Sequence, residues 1–250
     1  MKISSKLLYV LSGGLLACGF VMSAAPSVHE ALAQGPEARK CRYPVKYLLT
    51  ADYPAGRKAE YLEWTKTHAA GLDAPSDVMR RAIYENYYGV SPNRVVEYEF
   101  ESAEAGARFF AKKETEAAFG ERPDFAVNPR AHVLRLLSEY ASGPPSGKCA
   151  YPVKYLFSTD YPAGRKAEYL EWANSVSADL TESSLLRRLA SYVNHYGASP
   201  QRFVEFEFES TEDAARYFAG EKIRAIAEAL PDFAANPQMR VLTLRSQSGK

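Results

Sequence analysis

Twice in this sequence three glutamates stand at alternate positions: Glu97, Glu99 and Glu101 in VVEYEFE, and Glu205, Glu207 and Glu209 in FVEFEFE. In a strand, period-two spacing puts all three carboxylates on one face and Val96, Tyr98 and Phe100 on the other. A buried, unpaired carboxylate is very costly, so these six groups need cations, water or a ligand. Companions of the right type alternate nearby. Arg80, Ala82, Tyr84, Asn86 and Tyr88 return unchanged as Arg188, Ala190, Tyr192, Asn194 and Tyr196, whereas the residues between them change. Lys46 and Lys154 interrupt two apolar runs. Together these lysines, arginines, tyrosines, asparagines and glutamates would line a polar pocket for a small ligand. The other reading of the same set is a network of ion pairs that neutralise one another where two sheets meet.

A second group of charges sits at a predicted helix start. The stretch DYPAGRKAEYLEW occurs identically at Asp52–Trp64 and Asp160–Trp172, placing Arg57 and Lys58, and Arg165 and Lys166, beside a helix N-terminus, which attracts anions. Recent duplication, or equivalent contacts made by the two copies, would explain the identity without a ligand. Other chemistries find little support. His68, His132 and His195 correspond to Val176, Arg240 and Tyr87 in the other copy, and neither HExxH nor Cys-x-x-Cys occurs, so no metal site is expected. A haem would need only one axial imidazole. There is no Gly-x-Ser-x-Gly. With a net charge of +1 and no basic block, the chain has no nucleic-acid surface to offer.

The elements that must position these residues come as a tandem pair. Cys41–Tyr140 aligns with Cys149–Ser248 at a constant offset, without gaps, and 54 of 100 positions are identical, which marks duplication of a whole domain. The repeats occupy 34–140 and 149–250, with a Pro-, Gly- and Ser-containing linker at 141–148. Patterning in the first copy predicts strands at Val45–Thr50, Val78–Tyr88, Val95–Glu101 and His132–Leu137. It predicts a helix from about Ala55 to Leu72 with Ala59, Leu62 and Ala69 on one side, and a second helix capped by Ser102 and ended by PDFAVNP. The order β-α-β-β-α-β is a ferredoxin-like unit, in the α+β class. Its helices cover one sheet face. The two copies would cover each other's bare face, giving an intrachain pseudo-dimer in the form of an α+β barrel.

The N-terminus has the pattern of an export signal: Lys2 and Lys6, an apolar run over Leu7–Met22, then Ala31-Leu32-Ala33. Cleavage is expected after Ala33, giving a periplasmic or secreted protein with no membrane segment. A lipoprotein signal ending at Cys18 is the alternative. Cys41 and Cys149 then remain, and an even count in an exported chain permits a disulfide between them.

The run SPNRVVEYEFESAEAGARFF, with its second copy SPQRFVEFEFESTEDAARYF, resembles the third strand and second helix of the dimeric α+β barrel superfamily, which includes the antibiotic-biosynthesis monooxygenase, NIPSNAP and EthD-like groups. The resemblance implies two halves completing one barrel. It also implies a choice of roles, since that superfamily holds cofactor-independent oxygenases, haem enzymes and proteins of unknown role. Two functions follow. One is an exported barrel that binds a small polar molecule or a protein partner, without a cofactor. The other is a cofactor-independent monooxygenase or isomerase, in which Trp64, Trp172, Asn86 and Asn194 would orient the substrate.

Overall fold

Eight segments alternate apolar and polar residues, and all eight are strands of one closed barrel. The computed structural model describes residues 43–68, 72, 77–121, 124–142 and 150–249. The export signal, Cys18, the cysteines Cys41 and Cys149, and linker positions 143–148 lie outside the described residues. The first copy runs β1 (Val45–Asp52), α1 (Lys58–Thr67), β2 (Arg80–Asn86), β3 (Arg94–Phe100), α2 (Ala103–Phe110), α3 (Lys113–Glu121) and β4 (Val127–Ala141). The second runs β5 (Val153–Asp160), α4 (Lys166–Ser175), α5 (Ser177–Thr181), β6 (Arg188–Asn194), β7 (Arg202–Phe208), α6 (Thr211–Ala219), α7 (Glu221–Phe233) and β8 (Ala235–Gly249).

Around the barrel the order is β1-β3-β2-β8-β5-β7-β6-β4, with every pairing antiparallel. The two sheets therefore do more than face each other, as the sequence suggested. They join along both edges, so none of the described strands is left with an unpaired edge. The joining strands are β4 and β8, 15 residues each. β4 pairs with β1 from Val127 to Arg135 and with β6 from Leu134 to Ala141. β8 does the same with β5 and then β2.

The fourth strand is thus far longer than the predicted His132–Leu137. Asn128-Pro129 does not stop it, because Asn128 takes a left-handed φ of 50° and the register with β1 slips between Thr50 and Asp52. Proline is tolerated at such a bulge. The expected linker start is also strand: β4 reaches Ala141, and Ser142 N–H donates to Arg187 O at 2.9 Å.

The outer sheet face is apolar and carries the helices. Tyr98, Phe100 and Phe109 pack there in the first half, and Phe206, Phe208 and Tyr217 in the second. Ser102 Oγ accepts from Ala105 N at 3.1 Å and Ser210 Oγ from Asp213 N at 3.0 Å, so the predicted cap is present in both copies. The single helix expected after it is two, broken at Ala111-Lys112 and at Gly220. In the second copy the PDF motif lies inside α7, which continues through Pro231 to Phe233.

The first helix begins at Lys58, after a turn at Gly56 (φ 71°). Its buried side chains are Tyr61 and Trp64, not the expected Ala59 and Leu62. The large rings take the sheet-facing side: Tyr61 meets Tyr53 edge-on at 5.1 Å, and Trp64 stacks on Phe125 at 5.8 Å.

Candidate functional site

The inner face of the barrel carries the alternating residues of the glutamate strands. Register places Lys46 beside Glu99, Leu48 beside Glu97, and Arg80 across from Glu99. Lys46 Nζ lies 2.6 Å from Glu205 Oε1, 3.2 Å from Glu97 and 3.4 Å from Glu99. Lys154 Nζ mirrors it, at 2.7 Å from Glu97, 3.2 Å from Glu205 and 3.3 Å from Glu207. Arg80 grips Glu99 through two nitrogens at 2.7 and 2.8 Å. Arg188 donates to Glu207 at 2.8 Å, to Glu205 at 3.2 Å, to Glu139 and to the Tyr192 hydroxyl at 3.1 Å. Each lysine also stands over a ring from the opposite half, Lys46 over Tyr192 at 4.6 Å and Lys154 over Tyr84 at 4.4 Å.

All these charged groups are buried, and they are one another's ligands. Burial pushes the Glu99 carboxyl up, but Arg80 and Lys46 outweigh it and hold Glu99 down at about 2. Burial likewise opposes Glu205, which Lys154, Lys46 and Arg188 hold well below the usual carboxylate range. Glu97 goes the other way, raised by burial and by Glu205 beside it. Five carboxylates, Glu97, Glu99, Glu139, Glu205 and Glu207, face four cations in this cluster.

Several residues expected in the polar pocket are elsewhere. Tyr88 and Tyr196 are exposed, at 69% and 73%. They fall beyond the ends of β2 and β6, in turns where the parity of the strand no longer holds. Asn86 and Asn194 tie those turns, accepting from Tyr88 N at 3.0 Å and Tyr196 N at 3.1 Å. Glu101 and Glu209 lie just past the ends of β3 and β7; Glu101 is exposed and Glu209 sits 4.0 Å from Arg187. The lumen set is therefore Lys46, Arg80, Tyr84, Glu97, Glu99 and their counterparts, joined by Glu139.

Arg57 and Lys58 do not converge on an open anion site. Arg57 bonds Glu60 at 2.7 and 2.9 Å and Asp124 O at 3.2 Å, clasping the start of α1 to the chain ahead of β4. Arg165 makes the same clasp with Glu168 and Asp232 O. Lys58 pairs with Glu85 at 3.0 Å, and Lys166 lies over the Tyr161 ring at 5.3 Å.

The first residue of the same repeated stretch shapes one barrel mouth. Asp52 accepts from Ser91 Oγ at 2.7 Å, Asn93 N at 2.9 Å and Asn128 Nδ2 at 3.1 Å. Asp160 repeats this with Ser199, Gln201 and Asn236. Each aspartate thus joins the end of one strand to a Ser-Pro turn, whose peptide bond is cis, and to the left-handed asparagine of a long strand.

Between these rims opens a cavity of about 530 Å³. Leu48, Leu156 and Phe203 supply apolar surface, and Arg130 and Arg240 supply cationic surface beside the His132 imidazole. Arg130 and His132 lie opposite Thr50 and Leu48 in the β1–β4 register; Gln238 and Arg240 lie opposite Ser158 and Leu156 in the β5–β8 register. The two long strands thus bring basic groups to the mouth from opposite walls. Arg240 Nη2 donates to Gln238 Oε1 at 2.7 Å, and the His132 ring lies 5.2 Å from Phe203. Burial lowers the His132 imidazole below its ordinary value, with Arg130 and Arg240 adding to it; burial and Arg130 likewise lower Arg240. No Asp or Glu lines the cavity among the described residues.

Arg130 and its counterpart Gln238 lie ahead of the predicted strand start at His132 and Arg240, so the sequence pattern did not reach them. Period two carried back through Asn-Pro would have aligned Asn128, Arg130 and His132 on one face.

Among the described residues no group of three or more His, Cys, Asp or Glu is placed to hold a metal ion, and no helix is long and apolar enough to cross a membrane. His68 is engaged by Trp64 O and Glu121, and His195 is exposed, which leaves His132 as the one described imidazole on the cavity. Flanked by two guanidinium groups, it makes a donor set that suits an anion better than an iron centre.

No family model matches the sequence, and no curated protein matches it. Solved structures do match the fold. A candidate monooxygenase from Fusobacterium nucleatum aligns with a TM-score of 0.64 at 8% identity, covering 83% of this chain and 95% of that one. An anthrone oxidase-like protein aligns at 0.62 and 12% identity, covering 83% and 93%. A candidate chlorite dismutase aligns at 0.53 and 11% identity, covering 82% and 96%. The fold is that of the dimeric α+β barrels, with both ferredoxin-like halves carried by one chain.

Proposed function

We propose that this protein is an exported binding protein for a small polar molecule, held in the cavity at the Asp52–Asp160 end of the barrel. The observation that supports this reading is the cavity itself. Its volume of about 530 Å³ is in the range that takes small organic ligands, and polar side chains from three strands and two turns converge on it. The charge cluster deeper in the lumen is self-satisfied and serves as the wall behind the site.

The test is a fragment screen of the mature protein by NMR. Hits should perturb His132 and Thr50; hits that perturb only surface residues away from this mouth would remove the reading. A second reading, oxidation of the bound molecule by oxygen without a cofactor, draws on the candidate monooxygenase and the anthrone oxidase-like protein among the fold's neighbours. It requires oxygen uptake with a quinol-type substrate, lost when the cavity is blocked by a Leu48→Trp substitution.

A further inference from the structure

We propose that the ligand is an organic anion, with its carboxylate or phosphate bridged between Arg130 on β4 and Arg240 on β8. The inference rests on the reading of this cavity as a ligand site and adds the ligand's chemical class.

The contrast between the two ends of the lumen carries it. In the cluster, each inward-facing cation meets at least two carboxylates: Lys46 meets Glu97, Glu99 and Glu205, and Arg188 meets Glu139, Glu205 and Glu207. At the mouth, Arg130, His132 and Arg240 line one space that no described carboxylate shares. The hydrogen-bond partner of Arg240 is the neutral Gln238 Oε1, which leaves the rest of its planar fork for a bidentate acceptor. The acidic groups of the rim, Asp52 and Asp160, are each held by three donors. Two guanidinium groups sharing one space repel, and an anion between them removes that repulsion while gaining charge-assisted hydrogen bonds.

Volume makes the ligand organic. A bare inorganic anion fills only a small part of about 530 Å³. Leu48, Leu156 and Phe203 present apolar surface next to the cationic corner, which calls for a carbon body attached to the charged group.

The duplication fits this class. Copying would have given the mouth two identical halves, yet the counterpart of Arg130 is Gln238, and that of His132 is Arg240. Asp52, Ser91, Pro92 and Asn128, which build the frame, are kept in both copies. The frame is symmetric and the cationic lining is not, as suits one asymmetric ligand lying across the pseudo-twofold axis.

The experiment uses the mature full chain at low salt and a panel of matched compounds: carboxylic acids and phosphate monoesters, each with its neutral amide or methyl ester, plus inorganic phosphate. Binding is read from the His132 imidazole resonances, assigned with a His132→Gln variant. Binding confined to charged organic members supports the inference, and the carboxylate and phosphate arms tell which group is preferred. Arg130→Gln and Arg240→Gln should each weaken the best binder by about tenfold or more, and Arg240→Lys by less. Neutral members binding as well as charged ones would overturn the anionic class and leave the cavity a ligand site. Inorganic phosphate binding as tightly as its esters would overturn the organic class. No binding by any member, charged or neutral, would overturn the ligand site too. Thermal melts of each variant separate loss of the site from loss of the fold.

Discussion

Lys46 Nζ stands 2.6 Å from Glu205 Oε1, and the two residues belong to different copies of the repeat. The strongest buried contact of the first strand is therefore made to the other half of the chain. Lys154 and Glu97 reciprocate at 2.7 Å. These bonds cross the axis that relates the copies, so the cluster couples the halves as the shared strands β4 and β8 do. Neither half has a satisfied interior alone.

Lys46→Met should therefore destabilise the whole barrel rather than one half. Removing one partner from a buried network leaves uncompensated charge and costs about 3–5 kcal/mol. Here Glu97, Glu99 and Glu205 all lose a partner. Urea denaturation should show one transition moved to lower midpoint. Two transitions, with the second copy unaffected, would contradict the coupling. The double variant Lys46→Met/Glu205→Gln should recover part of the loss, which a double-mutant cycle would measure.

Acid should unfold the protein through the same cluster. Glu99 titrates at about 2 when folded, below its ordinary 4.5, because Arg80 and Lys46 overcome the burial penalty. The unfolded chain binds that proton first, so stability rises with pH across this window. The contribution is complete above about pH 5, on the order of 3 kcal/mol, and is lost as pH falls from about 4.5 toward 2. Glu97 has the opposite sign: raised by burial and Glu205, its contribution is present at low pH and falls as pH rises past the ordinary carboxylate value. Stability measured against pH should slope less steeply below pH 4.5 in Glu99→Gln than in the parent, even though the variant is less stable throughout.

Much of this was legible in the residues. Period two placed Glu97 and Glu99 opposite Tyr98 and Phe100, and the conserved parity of Arg80 and Tyr84 picked out their companions. What the pattern lacked was strand ends and register. Tyr88 and Glu101 keep the alternation in sequence but sit in turns, where alternation no longer means a shared face. Pro129 reads as a breaker, yet a left-handed Asn128 turns it into a bulge inside a long strand. That hidden bulge is why Arg130 went unnoticed, and with it the cavity. The repeated DYPAGRKAEYLEW is accounted for by local ties: Asp52 to a turn and a bulge, Arg57 to Glu60 and Asp124 O.

Asp52 and Asp160 should matter to the mouth to a similar degree. Each accepts three hydrogen bonds from one turn and one bulge. Burial raises the Asp52 carboxyl, but Ser91, Asn128 and Asn93 N–H together bring it below its ordinary value. Asp52→Ala strands those donors and should cost about 2–3 kcal/mol, as should Asp160→Ala. The two sites share no partner, so the losses should add in chemical denaturation. A double variant no less stable than either single one would mean that the frames are not independent.

The last prediction concerns His132 and tests whether the basic groups share one space. Its imidazole is lowered by burial first and then by Arg130 and Arg240. Arg240→Gln removes one of those charges and should move the His132 titration upward, as seen in its imidazole NMR resonances. Arg135→Gln, three residues along on the outer face of the same strand, should leave the titration where it is, because Arg135 is exposed on the opposite parity. The sign carries to stability. A folded imidazole with a depressed pKa means that the unfolded chain takes the proton more readily, so the parent loses stability as pH falls through the ordinary histidine value near 6.5. Arg240→Gln should weaken that loss. A bound anion should do the same by favouring the protonated ring, and its affinity should rise as pH falls over the same window. A titration unmoved by Arg240→Gln would place His132 outside the field of Arg240 and dissolve the cationic corner.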